Sequence, residues 1–152
     1  MGWELIRHYV PASDVNQITI TEDENGQAFD LKQAIVIARY VSSNTTTNNN
    51  EIVFDCRKGK VSQFANVTNC NSINDNGDAI LAIDCGAFGQ LVTLDYGNNP
   101  ITKGGLYAGQ HNHRIQLTPT ETTMSSFNMR HGNSSYTFDH TKTEVYIYGI
   151  RA

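Results

Sequence analysis

Short runs in which apolar and polar residues alternate, broken every few residues by Gly and Asn, constrain this chain more than any other feature. Alternation puts successive side chains on opposite faces of a strand, so each run offers one apolar face for burial. The runs expected as strands are Trp3 to Val10, Ile18 to Thr21, Ala34 to Val41, Glu51 to Cys56, Val61 to Val67 and Ala79 to Cys85. Gln90 to Tyr96, Arg114 to Thr120, Ser125 to Met129, Tyr136 to Phe138 and Glu144 to Ile150 follow. No segment shows the 3.6-residue apolar spacing of an amphipathic helix. Only Leu31 to Arg39 reads either way, as strand or as a strand preceded by one helical turn.

Turn chemistry supports this division. Asp23-Glu24-Asn25-Gly26 is an acidic turn whose Gly can take positive φ, and Arg57-Lys58-Gly59-Lys60 reverses the chain between two runs. Ser42 to Asn50 and Asn69 to Asp78 read as polar loops. Many short strands separated by turns imply an all-β fold, an antiparallel β-sandwich of jelly-roll type. At 152 residues, with no linker and no internal repeat, the chain is expected to be a single domain over residues 1–152.

Composition narrows the function classes. The formal charge is −4 and the pI about 5.6, which argues against a nucleic-acid partner, since such proteins carry a basic footprint. Only 17% of residues are charged, against roughly 25% in an average globular protein. Sixteen Asn, fifteen Thr and nine Ser take their place, giving an uncharged surface rich in hydrogen-bonding groups. The longest apolar run, Ala34 to Ala38, is far too short to span a bilayer, and no signal peptide is visible or expected. Cys56 and Cys85 fall at strand period among apolar residues and read as buried thiols, with a Cys56–Cys85 disulfide the alternative. Cys70 leaves the count odd. Sequons at Asn44, Asn66 and Asn133 are expected by chance in a chain so rich in Asn and Thr.

Catalytic signatures are few. His111 and His113, one residue apart, would share a strand face and could reach one metal ion. With Gly105 before them, the spacing resembles the first part of the cupin metal motif. That motif calls for a glutamate where this chain has Leu117 and Thr118, and Glu121 comes too late. A third ligand would have to be His131 or His140. No nucleophile elbow, P-loop, dinucleotide-binding glycine pattern or EF-hand loop is present. Asp84 and Asp95 read as polar caps at strand ends, and Asp75 to Asp78 as a turn. The expectation is therefore a non-enzymatic protein with no cofactor.

A binding role draws on different chemistry. Sugars present apolar C–H faces rimmed by hydroxyls, which aromatic rings, amides and imidazoles recognise. Tyr96, Tyr107, Gln110, His111, Asn112 and His113 lie in one Gly-punctuated stretch with Asn98 and Asn99, and are the candidate ligand-binding residues. Trp3 is assigned to packing.

The two ends carry a resemblance. The segments Trp3-Glu4-Leu5-Ile6, Ile18-Thr19-Ile20 and Asp23 to Lys32, with the closing run Glu144 to Arg151, resemble β domains near the C-termini of phage tail, baseplate and fibre proteins. The resemblance covers about a quarter of the chain and supplies no catalytic residue. It implies a virion structural or receptor-binding module, located in the phage tail or outside the cell. Its implied partners are other virion proteins, further copies of the chain (commonly three) and a cell-surface glycan. A free-standing carbohydrate-binding module is the second reading, and a cupin-like metalloenzyme on His111 and His113 the third.

Overall fold

The computed structural model describes residues 2–43, 50–70, 76–97, 109–116, 121–132 and 135–152. Among the described residues ten strands make two antiparallel sheets, and none is helical. In chain order they are β1 (Glu4–Tyr9), β2 (Gln17–Ile20), β3 (Leu31–Val41), β4 (Asn50–Lys58), β5 (Val61–Cys70), β6 (Asn76–Asp84), β7 (Phe88–Gly97), β8 (Gly109–Gln116), β9 (Ser126–His131) and β10 (Glu144–Arg151). The larger sheet has the order β1-β10-β3-β6-β7-β8 and the smaller β2-β9-β4-β5. From β1 to β4 the chain changes sheet at every step. The two inner faces thus come from interleaved stretches of sequence.

Alternation decides which side of each strand is buried. Ile18 and Ile20 of β2, Ile52, Phe54 and Cys56 of β4, and Phe127 and Met129 of β9 point inward from the smaller sheet. Val36, Tyr40, Leu81, Leu91, Val145 and Ile147 meet them from the larger one. Tyr40 packs at a tilt on Phe54 and edge-on against Phe138. Each such aromatic or aliphatic side chain contributes on the order of 1.5–3 kcal/mol through burial.

Several expectations are corrected by the ladders. The Leu31 to Arg39 ambiguity resolves as strand: β3 begins at Leu31, whose backbone exchanges hydrogen bonds of 2.8 Å with Met124, leaving no helical turn. Tyr136 to Phe138 is not a strand of either sheet. Phe138 instead forms isolated bridges to Val15 and Ser42, with its ring buried in the core. Of the loop expected over Asn69 to Asp78, both ends are strand, because β5 runs to Cys70 and β6 starts at Asn76 opposite Gly97; residues 71–75 lie outside the described residues. Pairing with β7 from Gly109 opposite Asp95 to Gln116 opposite Phe88 moves β8 ahead of its expected Arg114 start. Trp3 is 51% exposed and lies outside the core, contrary to its assignment to packing.

The acidic turn forms as read. Gly26 has φ 73°, its amide donates to the Asp23 carbonyl at 3.0 Å, and the Asp23 amide donates to Gln27 at 2.8 Å. One Asp23 carboxylate oxygen accepts the amides of Asn25 and Gln27, and the other accepts from Arg151 at 2.9 Å. The Gln27 amide is the largest influence holding the Asp23 carboxyl below its ordinary range. Arg151 also pairs with Glu4, so the two ends of the chain and this turn are fastened together.

Cys56 and Cys85 are both free and both buried, so the disulfide alternative is set aside. Burial pushes the Cys56 thiol well up and the Cys85 thiol up to about 12, which keeps both unreactive at neutral pH.

Candidate functional site

The outward positions of β2, β9 and β4 build a polar groove on the smaller sheet. Each strand gives its apolar alternates to the core, which leaves Gln17 and Thr19, then Ser126, Asn128 and Arg130, then Asp55 and Arg57 on the other side. Register aligns them across the strands. Thr19 stands opposite Asn128, and Asn128 opposite Asp55. In the next rows Gln17 faces Arg130, and Ser126 faces Arg57. A cavity of about 700 Å³, open to solvent, is lined by these residues together with Thr21, Ala28, the buried Phe29, Gly59 and Ser125.

Hydrogen bonds set the side chains in place. Asn128 Nδ2 donates to Thr19 Oγ1 at 2.7 Å, and Gln17 Nε2 donates to the same oxygen at 3.0 Å. Two donors on one hydroxyl oxygen leave the Thr19 O–H free to donate outward. The carbonyl oxygens of Asn128 and Gln17 remain as acceptors. Asp55 is only 4% exposed although it lies on the outer side of β4. Arg57 Nε donates to its Oδ2 at 2.6 Å and Ser62 Oγ to its Oδ1 at 2.8 Å, so both carboxylate oxygens are satisfied. The turn between β4 and β5 makes this possible: Gly59 at φ 57° brings Ser62 back opposite Arg57.

This array can bind a hydroxyl-rich ligand by hydrogen bonding. It offers outward donors on Thr19 and on the terminal nitrogens of Arg57, with acceptors on Asn128 and Gln17. Among the described residues that line it, Asp55 is the one carboxylate.

The residues singled out from sequence lie elsewhere. Gln110, His111, Asn112 and His113 are on β8, the edge strand of the larger sheet, with backbones opposite Leu94, Thr93, Val92 and Leu91. Tyr96 is on β7. Tyr107, and the side chains of the other five, fall outside the described residues.

Two further histidines are accounted for by structure. The His131 ring stacks on Phe138 with centroids 4.4 Å apart inside the core, and burial pulls its pKa down to about 4. His140 Nδ1 lies 2.6 Å from Asp14 Oδ1, and its backbone amide donates to the same oxygen at 3.0 Å. With Asp139 these residues bring three ligand-type atoms within 4.8 Å of one another. Asp139 Oδ1 accepts from the Thr141 amide and hydroxyl, and the Asp14–His140 contact fastens two segments far apart in the chain.

No family model matches this chain, and no curated protein matches it. Among solved structures it is similar to the CBM2 module of the evolved Dit of Lactobacillus casei BL23 phage J-1. The TM-score is 0.38 at 11% identity, covering 95% of this chain and 76% of that one. A likeness at that level decides neither fold nor function.

Proposed function

We propose that this chain is a non-enzymatic module of a phage tail, baseplate or fibre that binds a host cell-surface glycan in the groove on β2, β9 and β4. The observation that carries the reading is the cross-strand array of Thr19, Asn128 and Gln17. It is held by its own hydrogen bonds and leaves a donor and two acceptors facing the cavity. Such preorganisation lowers the ordering cost of binding a polyhydroxylated ligand.

The strand order supports reading the sandwich as a jelly roll, the architecture of many lectin and viral capsid domains. β1-β10-β3-β6 and β2-β9-β4-β5 interleave as two Greek keys, with β7 and β8 added at one edge. The phage context rests on the end segments that resemble tail proteins, which the Arg151 contacts to Glu4 and Asp23 bring together.

A glycan array tests the binding half. Wild-type protein is expected to be retained on a restricted set of glycans, and Asn128→Ala to lose that retention while unfolding at an unchanged urea midpoint. Retention that survives Asn128→Ala, or none at all, would overturn the groove as a glycan site.

Assembly is the second half, favoured by the outer face of the larger sheet. Ile37 and Ile80 stand opposite each other on β3 and β6 and are 40% and 49% exposed, with Leu5 of β1 also exposed. A homo-oligomer, trimeric if the resemblance holds, would cover them. Sedimentation velocity is expected to find an oligomer that Ile80→Lys dissociates; a monomer at every concentration would overturn this half.

A further inference from the structure

We infer that the ligand of the groove is an anionic saccharide, its carboxylate or phosphate seated on Arg130 with Arg57 beside it. The inference rests on the reading of the groove as a glycan site and adds the chemical class.

Arg130 is singular among the arginines whose side chains are described. Arg7 donates to the Asp23 carbonyl and lies over the Tyr9 ring, Arg39 pairs with Asp78, Arg57 with Asp55, and Arg151 with Glu4 and Asp23. Arg130 has no ion pair or hydrogen bond among the described residues, and it lines the cavity. The chain carries 15 Asp and Glu against 11 Lys and Arg, so an arginine without a carboxylate partner is not explained by a shortage of acids.

Its surroundings keep it so. Its cross-strand neighbours are Gln17 on one side and Val53 on the other, both neutral. The acid among the residues that line the groove, Asp55, already has both oxygens satisfied. Among the groove residues the charges are therefore one neutralised Asp–Arg pair and one uncompensated guanidinium. Arg130 is half-buried, which strengthens a charge-assisted bond relative to one in open water. A guanidinium presents a planar fork of N–H donors that matches a carboxylate or phosphate bidentately, and Arg57 keeps its terminal nitrogens for the same anion or an adjacent hydroxyl. General attraction cannot supply the preference, because the protein's net charge of −4 repels polyanions.

Calorimetric titration with three probes tests this: an oligogalacturonate, a glycerol-phosphate oligomer and a neutral galactan of similar length. At least one anionic probe is expected to bind about tenfold more tightly than the neutral one, as charge-assisted hydrogen bonds are roughly twice as strong as neutral ones. Whichever probe shows the preference distinguishes carboxylate from phosphate. Arg130→Gln is expected to erase the preference, Arg130→Lys to restore part of it, and added salt to weaken it. Equal binding of all three probes, or a preference intact in Arg130→Gln, overturns the inference and leaves the groove a glycan site. Failure of both anionic probes to bind overturns it as well, and the glycan array decides the wider reading independently.

Discussion

The two sheets bury the same kind of face and expose opposite kinds. Inside, the larger sheet presents Leu31, Val36, Leu81, Leu91, Val145 and Ile147, and the smaller presents Ile18, Ile20, Ile52, Phe54, Phe127 and Met129. Outside, the larger sheet carries the row His8, Tyr146, Ile37, Ile80 and Val92 across five strands, with His8 stacked on Tyr146 at 4.2 Å. The smaller sheet carries Thr19, Asn128 and Asp55 instead, and Asp55 reaches a burial that few surface carboxylates have. Alternation therefore specifies the fold through the inner faces alone. The outer faces are free to differ, and they do.

The smaller sheet also differs within, where it buries the imidazole of His131. The largest expected effect is acid destabilisation through His131 on β9. In the folded protein its ring takes a proton only near pH 4, against 6.5 for an exposed histidine. Between those values the unfolded chain holds more protons, so stability falls as pH drops through the window and levels off below it. The loss approaches about 3 kcal/mol. Urea unfolding at pH 7 and near pH 4 measures it, and His131→Phe should remove most of the slope. Asp14 and Asp139, with carboxyls held below their ordinary range by hydrogen bonds from His140 and Thr141 respectively, act only at still lower pH.

Next in size is a pair of matched deletions. Asp55→Ala removes a buried partner from Arg57 and Ser62 and is expected to cost about 2 kcal/mol. Asp78→Ala breaks the Arg39–Asp78 pair on the outer face of the larger sheet, where Arg39 is half exposed, and should cost less than about 0.5 kcal/mol. Equal costs would erase the contrast between the faces.

Gly149→Ala probes the inner side of the larger sheet. An added Cβ would lie 2.8 Å from Leu31 Cδ1 and 2.9 Å from the Gln33 carbonyl oxygen, so about 1.5 kcal/mol of overpacking is expected, read as a lower urea midpoint. The smallest effect is Ile80→Thr, which should change the stability of the isolated chain by less than about 0.5 kcal/mol while reducing self-association in sedimentation velocity. A large stability loss there would mean that the outer face helps to hold the fold.

The strands were legible because each carries its own signal: Ile18 and Ile20, Phe127 and Met129, or Ala79, Leu81 and Ile83 announce an inner face within a few residues. The turns at Gly26 and Gly59 were legible for the same local reason. Where sequence reading failed, the cause was not local. Phe138 looked like part of a strand, but its place is set by bridges to Val15 and Ser42, far away in the chain. Trp3 is apolar and near a strand start, yet the edge position of β1 leaves it uncovered. The groove was missed because Thr19, Asp55 and Asn128 are unremarkable polar alternates in three separate runs. Only the order β2-β9-β4 makes them neighbours. The available clue was that each of those runs pairs its core residues with amide, hydroxyl or guanidinium side chains.

Amide chemical-shift mapping by NMR during titration with a retained oligosaccharide locates the ligand most directly. Shifts should concentrate on Thr19, Asp55, Asn128 and Arg130 in the smaller sheet. Shifts confined to Gln110 through His113 on β8, with the groove amides unmoved, would place recognition on the other sheet and contradict the assignment.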